Sequence, residues 1–188
     1  MRIAVVDASP LINLTHLDLA RELALFFDRV YVPRAVQEEL NRKGRFRYRL
    51  NKLYRAGFFT RCTTADTFNV QLLQAELHKG EAEALIQAQE KQAVYFIGDE
   101  RRARTIAARM GRKAVGTLRL LARLNLEGRA PELRSLVQVL RRDLNFRVSE
   151  EIVQRAMDLA TEPIEGRPRE TAIFTRDGNT PALDHFLR

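Results

Sequence analysis

The sequence contains one cysteine, no tryptophan and no long apolar run. A single cysteine excludes an intramolecular disulfide and a zinc site built from several thiolates. No stretch approaches the roughly 20 apolar residues that a membrane-spanning helix needs, and the mean hydropathy is -0.31. The apolar run near the amino terminus is too short for a signal peptide. These absences predict a cytoplasmic protein that does not contact a membrane.

Glycine and histidine are missing from the patterns that particular enzyme classes require. The segment DASPLIN, after the first predicted strand, has no glycine, which argues against a dinucleotide-binding turn. Ser9 stands where phosphoryl-transfer enzymes of the haloacid dehalogenase type carry a second aspartate. His16, His78 and His185 show no metal-ligand or catalytic-triad spacing, so we interpret them as structural or surface residues.

Positive charge, by contrast, is in excess. The chain has 32 Lys and Arg against 24 Asp and Glu, a net charge of +8 and a pI near 10.2. This balance favours a polyanionic partner such as nucleic acid, although an arginine-rich source organism would produce the same composition. Residues 41–57, NRKGRFRYRLNKLYRAG, combine many cations with three aromatic residues and no acid. Such a segment can contact phosphates and bases, or it can form a helical hairpin with its rings toward the core and its cations in solvent, and the two interpretations are compatible.

Apolar runs alternate with helical patterns along most of the chain. Strands are expected at residues 3–6, 29–33, 57–64, 93–99 and 113–116, and helices at residues 10–27, 34–44, 79–92, 100–111 and from residue 117 onward. Continuously apolar strands that are separated by helices indicate a parallel sheet covered on both faces. We therefore predict an α/β fold.

Two aspartates directly follow predicted strands. Asp7 follows IAVV, and Asp99 follows VYFIG. In an open parallel sheet, ligands bind at the carboxyl ends of the strands, where both acids would lie. The alternative for each acid is that it caps the helix that comes next.

Two predicted helices bring glutamates to the same edge. Glu39 lies roughly 60° from Val36 around the helix axis, and Val36 marks the buried face. Glu81 is four residues before Leu85 and shares its face. An inward-leaning glutamate can also be a boundary residue in an ion pair.

The next glutamate, Glu83, is expected on a polar face together with Gln87 and Glu90. Glu81 is therefore the better candidate for an inner-facing acid. It also lies in a first turn, where the helix dipole favours a carboxylate.

Several acids are thus expected at one edge of the sheet: Asp7, Glu39, Glu81, Asp99 and the adjacent Glu100. Two like charges about 4 Å apart repel by about 4 kcal/mol at an effective dielectric constant near 20. A hard divalent cation would remove this repulsion, and an all-oxygen ligand set suits Mg²⁺ or Mn²⁺. The hypothesis is that Asp7 ends the first strand because it holds a metal there.

The motifs VVDASPLINL, VYVPRAVQEEL, GEAEALIQA, FIGDERRARTIAARMG and VGTLRLL occur in this order within residues 1–125. Through them the sequence resembles the PIN-domain superfamily, and more closely the DUF3368-like branch of small prokaryotic PIN-domain proteins related to VapC-type toxins. The resemblance implies a three-layer α/β/α sandwich with a central parallel sheet of about five strands and a helical C-terminal part. It also implies an acidic Mg²⁺ or Mn²⁺ site and cleavage of single-stranded RNA.

The resemblance also assigns roles by motif position. It implies that the catalytic, metal-binding acids are Asp7, Glu39, Glu81 and Asp99. Many relatives carry paired aspartates after the fourth strand, so Glu100 is a further candidate metal ligand, and either it or Asp99 could be the working one. Ser9 and Thr117 are expected to support the ligands without binding the metal.

The mechanism that follows is metal-assisted hydrolysis of a phosphodiester by an endoribonuclease. Cations near the acidic edge would neutralise substrate phosphates, and the candidates are Arg42, Lys43, Arg45, Arg47, Arg101, Arg102 and Arg104. The alternative function is a non-catalytic RNA-binding or partner-binding module that keeps the fold. Beyond single-stranded RNA, the resemblance implies two partners, a small antitoxin protein and a second copy of the chain in a homodimer.

The carboxyl-terminal part differs in composition from the rest. Residues 1–160 are predicted to form the PIN-like nuclease domain. Residues 161–188 have the Pro, Gly and Arg content of an extension or arm. The segment TAIFT gives this arm an apolar patch, which would dock either on its own subunit or on a neighbouring one.

Overall fold

The structure is a computed structural model that describes residues 1–42, 44 and 46–161. At residue 47 it describes the backbone but not the side chain. Lys43, Arg45 and most of the predicted arm, residues 162–188, lie outside the described residues. No helix in the described part of the chain is long and apolar enough to cross a membrane.

Five parallel strands form one sheet in the order β3-β2-β1-β4-β5. The strands are β1 (Ile3–Val6), β2 (Arg29–Pro33), β3 (Phe59–Cys62), β4 (Tyr95–Ile97) and β5 (Lys113–Val115). Each lies within a predicted strand, and the all-parallel arrangement confirms the predicted fold class. Strands that follow one another along the chain are connected through helices rather than by hairpins, as a parallel sheet requires.

The helices are α1 (Ala8–His16), α2 (Arg34–Arg42), α3 (Arg47–Arg55), α4 (Thr67–Leu73), α5 (Lys79–Glu90), α6 (Arg101–Arg109), α7 (Thr117–Leu126), α8 (Leu133–Leu144) and α9 (Glu150–Asp158). Short 3₁₀ helices cover Ala20–Leu25 and Leu159–Thr161. The central strand β1 shows why the fold has three layers, because its side chains alternate between two cores. Val5 packs with α4, α5 and α6, whereas Ala4 and Val6 pack with α1, α7, α8 and α9.

The predicted helix over residues 10–27 is wrong as a single element. The structure ends α1 at His16 and begins a separate 3₁₀ helix at Ala20. Asp18 between them has φ of 58°, a left-handed conformation that aspartate tolerates better than most residues and that a continuous α-helix does not allow. No proline or glycine marks this break. The predicted helix over residues 34–44 likewise ends early, at Arg42.

The basic segment contains the end of α2 and the whole of α3. Its three rings have different environments, because Phe46 is buried in the core, Tyr54 is half-buried and Tyr48 is 81% exposed. The Arg61 guanidinium lies 4.3 Å from the centre of the Tyr54 ring. The Phe46 ring therefore faces the core, as one of the two interpretations expects, whereas the Tyr48 ring is exposed to solvent.

Candidate active site

The strand order places the site where the chain changes direction across the sheet. From β1 the chain adds β2 and β3 on one side, and it then returns to add β4 on the other. A crevice forms at such a switch point, outside the carboxyl ends of the two strands. Asp7 directly follows β1, and Asp99 follows β4 after one glycine. The Asp7 amide donates to the Ile97 carbonyl at 2.9 Å, so the ladder between β1 and β4 continues to the edge of the site.

Gly98 lets the chain turn between β4 and Asp99. A Cβ atom at this position would lie 2.3 Å from the Phe96 ring, which is fully buried and cannot move aside. The motif FIGD thus requires glycine before the acid because of a close approach.

A cleft of about 770 Å³ opens at this edge, and we call it the acidic cleft. It is lined by Asp7, Ala8, Ser9, Ala35, Glu38, Glu39, Asn41, Arg42, His78, Lys79, Gly80 and Glu81. Three of the predicted acids, Asp7, Glu39 and Glu81, therefore face one cavity. Asp7 and Glu81 are buried, Glu39 is half-buried, and Ser9 is exposed at the rim.

Asp7 has the most perturbed carboxylate of the cleft. Burial is the main cause that raises its pKa to about 7, and the negative charges of Glu81, Glu39 and Asp99 raise it further. A hydrogen bond from the Ala8 amide acts in the opposite direction. The space in front of the carboxylate is kept open by Gly80, where a Cβ atom would lie 3.4 Å from Asp7 Oδ1. The other three predicted acids are therefore close enough to act on the Asp7 carboxylate.

Glu81 is held in place by the start of α5. Its Oε2 accepts a hydrogen bond of 3.0 Å from the His78 amide, which is one half of a capping box. The predicted burial of Glu81 is confirmed, since the residue is only 7% exposed. Its carboxylate also borders a second cavity, so Glu81 lies between the two.

The predicted polar face of α5 is wrong for Glu83 and Gln87, whereas Glu90 is exposed as expected. Glu83 is 8% exposed and Gln87 is completely buried. The reason is that α5 packs against α2, α4 and α6 as well as against the sheet, which leaves it little surface in solvent. Glu83 Oε2 accepts a hydrogen bond of 2.9 Å from the Ala35 amide at the start of α2, and it does not line the acidic cleft.

Asp99 is turned toward α7. Its Oδ1 accepts from the Thr117 amide at 2.7 Å, and its Oδ2 accepts from the Thr117 hydroxyl at 2.6 Å and from Asn13 Nδ2 at 3.2 Å. Burial raises the pKa of Asp99, while the bonds from Thr117 and Asn13 and the charge of Arg104 oppose that rise. The predicted contact of Thr117 with a site acid is thus present.

Asn13 is a residue of the site that the sequence patterns did not predict. It is 5% exposed and also donates to the Thr117 hydroxyl at 3.3 Å. The available signal was a polar residue inside the apolar run LINL. A buried amide of this kind needs hydrogen-bond partners. Asp99 and Thr117 are those partners.

The second cavity, which we call the side pocket, has a volume of about 370 Å³. It is lined by Gln74, Glu76, Leu77, His78, Glu81, Glu100 and Arg102. Glu100 is exposed here and precedes the first residue of α6. The structure therefore separates the two acids after β4, with Asp99 against α7 and Glu100 in the side pocket.

The candidate phosphate-binding cations are distributed unevenly. Arg42 is exposed at the acidic cleft, and Arg101 is exposed on α6. Arg102 pairs with Glu76, and the Arg104 guanidinium donates to the Asp99 carbonyl. Lys43 and Arg45 lie outside the described residues, as does the side chain of Arg47.

The donor set of the cleft fits a hard divalent cation. Among the described residues, no Lys, Arg or His forms an ion pair with Asp7 or Glu81, so their charge is not neutralised by such a contact. Among the described residues, no three or more His, Cys, Asp or Glu side chains form a group that could hold a metal ion by themselves. Mg²⁺ typically takes only one or two carboxylates and completes its shell with waters and substrate phosphates. The buried Asp7 carboxylate, with Glu81 and Glu39 nearby, meets that requirement.

One family model accounts for nearly all of the described chain. The DUF3368 model, described as a PIN domain, matches residues 3–162. No curated protein matches the sequence. PIN domains are generally nucleases that use divalent metal ions. The five-stranded parallel sheet agrees with this match, and the chain belongs to the DUF3368 family of PIN domains.

Proposed function

We propose that this protein is an endoribonuclease that hydrolyses phosphodiester bonds of single-stranded RNA with the help of Mg²⁺ or Mn²⁺. The observation that carries the proposal is the buried Asp7 carboxylate, whose pKa is raised to about 7 beside three other acids at the switch point of the sheet. Holding these acids together opposes folding, and binding of a cation compensates for that repulsion.

Asp7 and Glu81 are the primary residues that would hold the metal, with Glu39 and Asp99 as the additional acids. The chemistry that a bound cation would supply is a lower pKa for a water molecule and neutralisation of the charge that develops on the phosphate oxygens. Glu100 serves as a ligand only if the metal lies toward the side pocket. Glu83 has no such role, because its carboxylate caps α2.

The chain's own residues orient the acids and the substrate. Thr117 and Asn13 fix the Asp99 carboxylate, and the His78 amide fixes Glu81. Arg42 and Lys79 are exposed at the acidic cleft, where each can contact a phosphate of the RNA strand. Ser9 lines the same rim and supplies a hydroxyl close to Asp7.

We infer the biological setting from the family alone. The enzyme is proposed to be the toxin of a toxin–antitoxin pair, with a small antitoxin protein as its partner, and to form a homodimer. The residues 1–160 are proposed as the nuclease domain and residues 161–188 as an arm. Removal of the arm before Pro163, followed by measurement of the mass in solution, tests whether it links two subunits.

Cleavage of a mixed pool of single-stranded RNA tests the nuclease proposal. The purified protein is expected to cut the pool with Mn²⁺ and to stop in EDTA. Asp7→Asn should abolish cleavage, whereas Asp158→Asn should not, because Asp158 is exposed on α9 and its carboxylate, among the described residues, accepts only from Gln154 of the same helix. Binding of RNA without cleavage by the wild type would instead favour a non-catalytic RNA-binding module.

A further inference from the structure

The side pocket opens beside the residues of the proposed mechanism but contributes little to it. It shares Glu81 and His78 with the acidic cleft. An RNA strand that places a phosphate in the cleft therefore brings a neighbouring nucleotide to the mouth of the side pocket. The question is which part of that nucleotide the pocket accepts.

The charges that line the pocket exclude a phosphate. Glu76, Glu81 and Glu100 supply three carboxylates. Arg102 is the only Lys or Arg among the described residues that line it, and this cation is already paired with Glu76. Its Nε and Nη2 atoms lie 3.3 Å and 3.0 Å from Glu76 Oε2. A second negative group would be repelled, so the part of the nucleotide that enters must be neutral.

A nucleobase meets this requirement. The pocket is large enough for a planar ring, and the buried side chain of Leu77 gives it an apolar surface. The exposed His78 lies at the entrance that the two cavities share and offers a ring on which a base can stack. Flipped-out bases of single-stranded RNA are commonly recognised by stacking and by hydrogen bonds to their Watson–Crick edge.

The polar groups of the pocket favour one base. A carboxylate only accepts hydrogen bonds. Guanine presents two adjacent N–H donor groups on its Watson–Crick edge, beside its O6 acceptor, whereas adenine, cytosine and uracil each present one donor group there. Glu76 Oε2 is engaged by Arg102, and no residue in the described part of the chain donates to Oε1. Arg102 thus orients the Glu76 carboxylate and leaves Oε1 for the base, and the two lone pairs of this oxygen can accept from both guanine donors.

We propose that Glu76, oriented by Arg102, selects guanine in the side pocket, so that the enzyme cleaves RNA at a fixed position relative to a guanine. This inference rests on the proposed nuclease function for the cut itself. It adds a specificity-determining residue that is not among the site acids.

Sequencing the ends of fragments from a randomised single-stranded RNA pool tests the selection. With Mn²⁺, the wild type should enrich guanine at one position beside the cut, and Glu76→Gln should lower that enrichment roughly tenfold. Glu150→Gln is the matched control, because Glu150 is similarly exposed and pairs with Arg134 far from both cavities. Guanine enrichment that survives in Glu76→Gln, or cleavage by the wild type without a base preference, overturns the proposal.

Binding separates this proposal from the nuclease proposal. Fluorescence anisotropy compares heptauridylate with the same oligonucleotide carrying one central guanine, using the Asp7→Asn protein in Mn²⁺ so that no RNA is cut. The guanine-containing strand should bind roughly tenfold more tightly, and Glu76→Gln in addition should remove the difference. Such a result supports the guanine subsite even if the wild type cleaves no RNA, an outcome that defeats the nuclease proposal alone. Equal affinities, or no binding of either strand, overturn the subsite.

Discussion

The Asp7 carboxylate is surrounded by acids, and its replacement separates a metal site from a helix cap. Asp7→Asn removes one of the repelling charges, so we expect the metal-free protein to melt at a higher temperature than the wild type. Mn²⁺ should raise the melting temperature of the wild type but not that of the variant. Differential scanning calorimetry with and without EDTA measures both effects. If Asp7 only caps α1, the variant and the wild type should respond to Mn²⁺ alike.

The raised pKa of Asp7 also predicts how stability depends on pH. The pKa is about 7 in the folded protein, against 3.8 for an ordinary aspartate. Between these values the folded state keeps a proton that the unfolded state has lost, so the free energy of unfolding falls as the pH rises. A shift of this size corresponds to roughly 4 kcal/mol across the whole window. This contribution of Asp7 to the free energy of unfolding is fully present below about pH 4 and is lost as the pH rises through 7.

Urea unfolding in a metal-free buffer at several pH values measures this dependence. Asp7→Asn should flatten the curve between pH 4 and pH 7, because the variant has no proton to lose at this position. A wild type whose stability rises over the same window would contradict the prediction.

The Thr117 hydroxyl connects Asp99 and Asn13, and its removal should have a measurable effect on stability. Thr117→Val keeps the shape of the side chain but removes the donor to Asp99 and the acceptor for Asn13. Because Thr117 is completely buried, we expect a loss of about 1–3 kcal/mol in the free energy of unfolding. Thr105→Val is the control, since the exposed Thr105 hydroxyl donates to the Arg101 carbonyl of its own helix and to no other group in the described part of the chain. Equal effects of the two changes would argue against the buried network.

The site acids could be predicted from the sequence to different degrees. Asp7 and Asp99 follow apolar runs, and parallel strands bring such positions to one edge whatever the detailed packing. The burial of Glu83 and the contact between Asn13 and Asp99 could not be predicted in this way. Both depend on which helices pack beside the residue, and that information lies in distant parts of the chain.

At the scale of elements, one carboxylate ties two helices together. Glu83 on α5 accepts from the Ala35 amide, which is otherwise without a helical partner at the start of α2. We expect Glu83→Ala to lower the free energy of unfolding by about 1–2 kcal/mol, and Glu83→Gln to lose less because its amide oxygen still accepts. Chemical denaturation measures both variants.

Glu38→Ala provides the control for this change. Glu38 lies on α2 itself and forms an exposed ion pair with Arg34, a kind of contact that contributes little to stability. The variant should therefore unfold close to the wild type. A loss as large as that of Glu83→Ala would mean that charge rather than capping stabilises α2.

The elements themselves were predictable where the pattern is strong. The five strands are short apolar runs next to turn-forming residues, so all five are confirmed, with shorter bounds than predicted for β3, β4 and β5. The helix α4 was missed, because Phe68 and Leu72 place apolar side chains on its exposed face and the short segment shows no amphipathic period. The left-handed conformation of Asp18, which separates α1 from the 3₁₀ helix, is not indicated by the neighbouring residues either.

At the scale of the whole molecule, the carboxyl-terminal helices share a core with the first strand. The larger apolar cluster includes Ala4 and Val6 of β1 together with Val153 and Ala160 near the end of the described chain. We therefore expect residues 1–161 to unfold in one cooperative transition. Far-UV circular dichroism and tyrosine fluorescence, which is not masked because the chain lacks tryptophan, should give coincident curves.

A change in α9 tests this cooperativity directly. Val153 is completely buried, so Val153→Ala should lower the stability by roughly 1–3 kcal/mol. The single transition should move to lower temperature without dividing. Two separate transitions would show that the carboxyl-terminal helices form an independent unit.

The strand β1 is bonded on both sides, to β2 and to β4, and its residues Ala4, Val5 and Val6 are inaccessible to solvent. Asp7 continues this strand, so the first acid is attached to the part of the molecule whose amides should exchange most slowly with deuterium. The spacing of the carboxylates is consequently set when the chain folds rather than when a ligand arrives. Folding thus does the electrostatic work of bringing the acids together, so the acids are already in place before any cation or RNA binds.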